Sequence, residues 1–170
     1  MDDPVLSPQR PLPVRVTGAV LCLLATLALV EGCGSNGVEV GRFSVTAVGH
    51  ESCQRLLRAL PRHVSDQPRR PVTGSTYAAA WGDPPIVLRC GVGRPRGYDR
   101  FSACQTANGI DWFVPSSAFN DEHADVLMTT LYRRPAVSVH LPATYRPPVA
   151  AMVDLAGTIK QHTTATGHCQ

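Results

Sequence analysis

Apolar and polar positions change their period several times along the chain, and each change predicts an element. From residue 16 to residue 30, "VTGAVLCLLATLALV", the apolar run is unbroken. Residues 38–48, "VEVGRFSVTAV", partly alternate and predict an edge strand. In "ESCQRLLRAL", residues 51–60, Leu56, Leu57 and Leu60 recur at helical spacing with Cys53 one turn earlier, while Arg55 and Arg58 take another side. Pro61 ends that helix. Residues 62–71 are polar and basic and predict a surface loop. Alternation returns in residues 76–81 and 86–90, on either side of Gly82-Asp83-Pro84-Pro85. Ile86, Leu88 and Cys90 then share one face, with Val87 and Arg89 on the other, and the two runs form a β-hairpin. Residues 110–114 make a strand after the Asn108-Gly109 turn, and residues 126–132 and 136–141 pair across Arg133-Arg134-Pro135. Pro147-Pro148 opens a helix over residues 149–162, with Val149, Met152, Val153, Leu155, Ala156 and Ile159 inward.

The order is helix, about five strands, helix. Strands joined by short turns make a mainly antiparallel sheet, and two amphipathic helices must cover one face of it. The predicted fold is therefore α+β, a two-layer sandwich. It occupies residues 51–170, behind an N-terminal segment (1–33) and a linker with a possible edge strand (34–50).

The unbroken run is too short to span a bilayer comfortably, since a spanning helix needs about 20 residues. It follows Arg10 and Arg15, as the apolar region of an export signal does. It ends in Leu29-Val-Glu-Gly-Cys33, which resembles a bacterial lipobox. Val30 and Gly32 fit, whereas Glu31 stands where that pattern prefers a small residue. Three fates stay open: lipidation at Cys33, an uncleaved N-terminal anchor, or ordinary secretory cleavage. The first two place the domain on the extracytoplasmic face of a cell membrane.

Cysteine usage agrees. Cys53, Cys90, Cys104 and Cys169 lie in the domain, an even number, and two disulfides are expected in an oxidising compartment. Of three connectivities, Cys90 with Cys104 would staple adjacent elements and Cys53 with Cys169 would tie the ends. No Cys-x-x-Cys occurs and the histidines lack paired ligand spacing, so neither a thioredoxin-like dithiol, a metal nor a cofactor is expected. The net charge of +3 is mild, and Lys160 is the only lysine. Nucleic acid is not an expected partner of an exported domain.

"CQRLLRALP" (53–61), "RRPV" (69–72), "AAWGDPPIVLRCGV" (79–92), "GIDWF" (109–113) and "RRPAVSVHLP" (133–142) together resemble one family. It is an actinobacterial domain of unknown function, found in small exported proteins with an N-terminal membrane segment or lipobox. The resemblance implies location and architecture, and it carries no activity, substrate or catalytic residue.

Candidate chemistry rests on Trp81, Asp83, Arg89, Asp111 and Trp112. Converging, they would hold an anionic or zwitterionic ligand, with Arg89 as the fork and Trp81 or Trp112 as the stacking platform. The structural alternative has Asp83 fixing the turn and Arg89 pairing with Asp111 across strands. A cell-envelope hydrolase using Asp83 and Asp111 is the catalytic alternative, but no nucleophile elbow, zincin motif or phosphate loop accompanies them. Arg94, Arg96 and Arg100, with Tyr98 and Phe101, form a basic loop that is either solvated or able to touch anionic headgroups. The expected function is a membrane-tethered, non-catalytic domain that binds an envelope partner or an anionic ligand.

Overall fold

The computed structural model describes residues 37–45, 47–99 and 101–169. The N-terminal segment expected to be a signal or anchor, with Cys22 and the candidate lipidation site Cys33, and Arg100 lie outside the described residues. The described fold belongs to one compact unit, Ser35–Gln170. Among the described residues no helix is long and apolar enough to cross a membrane.

Among the described residues the chain is mixed α/β, with a large antiparallel sheet of eight strands and three α-helices. In chain order the elements are β1 (Val38–Glu39), α1 (Ala47–Ala59), β2 (His63–Val64), β3 (Gln67–Arg70), β4 (Val72–Thr73), β5 (Ala78–Trp81), β6 (Ile86–Val92), β7 (Cys104–Ala107), β8 (Ile110–Phe113), α2 (Ser117–Asn120), β9 (Val126–Thr130), β10 (Arg133–Arg134), β11 (Ala136–Leu141), α3 (Val149–His162) and β12 (Thr164–Ala165). The sheet order is β2-β3-β5-β6-β11-β9-β8-β7. The two hairpins read from sequence, β5–β6 and β9–β11, form as expected.

The expected sheet of about five strands gains members where polar residues hid the alternation. Residues 62–71 are the β2–β3 hairpin and not a loop. Its turn puts Ser65 and Asp66 at φ 48° and 61°, the left-handed pair of a two-residue hairpin turn. β7 pairs with β8 across Asn108 (φ 45°) and Gly109 (φ 71°) and forms the far edge. Edge strands are commonly polar, because hydrophobic ones would recruit other chains. The expected strand over 38–48 shrinks to β1, which pairs in parallel with β4, and helix α1 starts at Ala47.

One face of the sheet carries the main core. Cys53, Leu56 and Leu57 of α1 and Met152, Leu155 and Ile159 of α3 pack on Ile86, Leu88, Trp112, Met128 and Val139. Val149 and Val153, expected inward, are 51% and 43% exposed, while Ala151 is buried. At about 100° per residue both lie about 80° to 120° round the axis from Ile159, on the shoulder of the buried stripe. The other face is partly covered too: Val38 and Val40 pack on Ala80 and Val87. That makes a local third layer which a two-layer sandwich omits.

The disulfides are Cys53–Cys90 and Cys104–Cys169, with Cα separations of 5.5 and 6.3 Å. All four domain cysteines are paired, as expected, but both expected partnerships are wrong. Cys90 lies two residues before the end of β6 and Cys104 starts β7, strands that are neighbours in sequence only. β11, β9 and β8 lie between them in the sheet. Four strand steps at about 4.8 Å put them about 19 Å apart, far beyond disulfide reach.

Candidate functional site

The five residues singled out from sequence are not brought together. Trp81 and Trp112 are both fully buried, so neither offers a ring to a ligand. Trp81 Nε1 donates to Pro61 O at 3.1 Å, and the Arg69 guanidinium lies 5.7 Å from its ring centre. The same guanidinium donates to Leu57 O (2.9 Å) and Leu60 O (3.3 Å), meeting carbonyls that the end of α1 leaves open. Arg70 Nη1 donates to Gly82 O at 3.0 Å and lies 3.5 Å from the exposed Asp83 carboxylate. Thus "RRPV" and "WGDPP" serve one another: two arginines hold the end of a helix and the turn of the central hairpin.

Arg89 lies between Ala78 and Ser138 in register, and not beside Asp111. Asp111 accepts from Thr106 Oγ1 at 2.6 Å and from the Cys169 amide at 2.9 Å, fastening the C-terminal tail. Asp83, in the β5–β6 turn, is at least three strand steps from Asp111 on β8, about 14 Å or more across the sheet. That is too far for an acid and a base to serve one bond. The ligand atoms of Cys104, Asp111 and Cys169 lie within 4.8 Å of one another. The two sulfurs are joined to each other and the carboxylate holds the tail, which leaves no thiolate for a metal. His140 Nε2 lies 3.1 Å from Asp125, whose other oxygen accepts the Ala143 amide, so this pair secures the end of β11.

The chemistry converges elsewhere, in a cleft of about 1070 Å³ at the end of β6. Its floor begins with a bulge. Val137 pairs with Cys90 and Ala136 with Val92, so Gly91 is the extra residue on β6. Gly91 has φ 85°, and a Cβ there would come 2.5 Å from Val45 Cγ1, so only glycine fits without a shift. Beyond the bulge the chain leaves the sheet as the loop carrying Arg94 and Tyr98. The opposite wall is the β9–β11 connection, Leu131 to Pro135. Ser52 of α1 lies on a third side, and Thr164 and Thr166 of the tail close a fourth.

Polar contacts orient the lining. Arg94 donates to Tyr98 O at 3.2 Å and sits 5.0 Å over the Tyr98 ring. That ring meets the Phe113 ring edge-on at 5.4 Å, and its hydroxyl is 3.0 Å from the Tyr132 hydroxyl. The hydrogen bond to Tyr132, followed by burial, raises the Tyr98 pKa and keeps the phenol protonated. Tyr132 sits at φ 53°, an unusual backbone for tyrosine, and its carbonyl accepts the Thr166 amide at 2.8 Å. Arg133 donates to Thr163 O at 3.2 Å, and β10 pairs with β12. Beside the cleft, the Phe101 amide and the Ser102 hydroxyl hold the Asp99 carboxyl below its usual range.

The lining therefore contains three arginines and two tyrosine hydroxyls, with no carboxylate among the described lining residues. Hydrogen-bond donors dominate it, as suits an anion. A second hollow, about 300 Å³ beside Phe119 and Val149, holds Arg146. That guanidinium already donates to Ala118 O and Ala124 O, at 2.8 and 3.1 Å. Sequence reasoning found half of the main cleft, the loop with Arg94 and Tyr98. It read Arg133-Arg134-Pro135 only as a turn and missed the tail. Density of arginine next to tyrosine, at 94–98 and 132–134, was the available signal.

Fold and cleft together define an α+β domain stapled by two disulfides and carrying a basic, tyrosine-walled hollow at one end of its sheet. The chain belongs to the family described as "Protein of unknown function (DUF3515)", whose model matches residues 11–167. No curated protein matches it, and no solved structure does.

Proposed function

We propose that this protein is a membrane-tethered, extracytoplasmic domain of an actinobacterial cell envelope that binds an anionic partner without catalysis. The observation carrying the binding role is the cleft with Arg94, Arg133 and Arg134 in its lining and no carboxylate among its described lining residues. The tether rests on the apolar run behind Arg10 and Arg15 and on the lipobox-like sequence ending at Cys33. Two disulfides suit an oxidising compartment. The arginine-heavy composition suits the source that the sequence resemblance implies. The hydrolase reading has no comparable support, because Asp83 lies in the β5–β6 turn and Asp111 on β8, with β11 and β9 between them in the sheet order.

Two measurements test the proposal. Mass spectrometry of membrane-extracted protein should find a mature N-terminus at Cys33 with acyl mass, whereas a tether-free secreted form in the medium removes the anchoring claim. For binding, the full chain in nonionic micelles is titrated with soluble glycerol phosphate while arginine side-chain NMR signals are followed. Saturable shifts at Arg94, Arg133 and Arg134 are expected. Absence of any shift up to tens of millimolar refutes the anion site.

A further inference from the structure

We infer that the cleft and its neighbouring loop form a docking surface for an anionic phospholipid leaflet, in which the arginines take the headgroup phosphate and Phe101 enters the interface. The inference rests on the anion-binding reading of the cleft and adds the partner.

The loop between β6 and β7 combines two features. On its cleft side, Arg94 is held against the Tyr98 ring and carbonyl. A few residues on, Phe101 is 81% exposed, the most exposed of the large apolar side chains among the described residues. Two groups of the loop are tied to the Asp99 carboxylate: the Phe101 amide donates to Asp99 Oδ1 at 2.8 Å and Ser102 Oγ donates to the same oxygen at 3.0 Å. An exposed aromatic on a braced loop, next to a donor-lined hollow, suits a boundary that is anionic at the headgroups and apolar beneath. Tyr132 adds a second amphipathic ring, 39% exposed, which places its hydroxyl beside the cleft.

Charge and tether length favour a lipid over a free anion. Arg96 adds a further exposed cation on the same loop, against the single carboxylate of Asp99, which is engaged by the loop's own donors. Only Gly34-Ser-Asn-Gly37 separates Cys33 from β1. A tether that short supplies a leaflet at high effective concentration. Each arginine near an anionic leaflet strengthens attachment about fivefold, so three together are worth on the order of a hundredfold.

The test uses the full chain carrying Phe101→Trp, in nonionic micelles doped with phosphatidylglycerol or with phosphatidylcholine, and separately with soluble glycerol phosphate. Both native indoles are buried, so the new one reports the loop. Phosphatidylglycerol should shift its emission to the blue and move the arginine signals. Phosphatidylcholine should do neither, and glycerol phosphate should move the arginines alone. Arg94→Ala/Arg133→Ala/Arg134→Ala should raise the phosphatidylglycerol needed for half effect by about a hundredfold, while the triple lysine variant keeps most of the attraction. Should the alanine variant melt early, high salt on the otherwise native chain replaces it, and must abolish the shift. An indole response equal for both lipids overturns the inference. So do arginine shifts without an indole response, although these leave the anion site standing. No response to any of the three ligands removes both.

Discussion

Replacing Cys104 and Cys169 together with serine is expected to cost about 4 kcal/mol of stability. The two cysteines lie 65 residues apart in sequence, and Cys53 and Cys90 lie 37 apart. Chain entropy makes the first cross-link worth about 4 kcal/mol and the second slightly less, because the dependence on loop length is only logarithmic. The loops do not overlap, so the two contributions add to about 8 kcal/mol, comparable with the whole stability of an ordinary domain. Fully reduced chain is therefore expected to be unfolded or nearly so. The bonds differ sharply in access. Cys53 and Cys90 are fully buried, whereas Cys104 and Cys169 are half-buried. Stepwise reduction by a dithiol, followed by alkylation and peptide mapping, should label Cys104 and Cys169 first. The tail then loses its covalent anchor, and the glycerol phosphate affinity of the cleft should fall because Thr164, Thr166 and the Arg133 contact move with it. Denaturant unfolding followed by tryptophan fluorescence gives the energy. A loss under about 1 kcal/mol for the serine pair, or labelling of Cys53 and Cys90 before the other two, would refute this reasoning.

Three further outcomes follow from named contacts. Trp81→Phe should cost about 1 to 2 kcal/mol more than Trp112→Phe in chemical denaturation, because Trp81 loses a hydrogen bond and an arginine contact, whereas Trp112 Nε1 has no acceptor among the described residues; equal costs contradict the assignment. Gly91→Ala should cost about 1 to 3 kcal/mol for its positive φ, and a melting curve unchanged from native speaks against the bulge. The Asp99 carboxyl is held below its unfolded range, so its bracing of the loop is complete above the ordinary aspartate pKa of about 3.9 and is lost as pH falls through the lower folded value. Amide signals of Phe101 and Ser102 should therefore stay in place down to that range and move below it; movement near neutral pH would show that another group controls the loop.

The local pieces were legible in the order of residues. Leucine spacing gave the buried side of α1, and Leu56, Leu57 and Leu60 are buried as expected. Asn108-Gly109 and Gly82-Asp83-Pro84-Pro85 marked the turns of β7–β8 and β5–β6, since turn chemistry acts over a few residues. An even cysteine count indicated complete pairing. Tertiary structure alone decided which pieces meet. β11 and β9 enter the sheet between β6 and β8, which separates Cys90 from Cys104, Arg89 from Asp111 and Asp83 from Asp111. The same insertion carries Arg133 and Arg134 to the end of β6, beside Arg94. Period and turn signals are local, so they define strands without ordering them. The order is fixed by burying all the apolar faces at once, and with it came the cleft, the disulfide partners and the tail that Asp111 fastens.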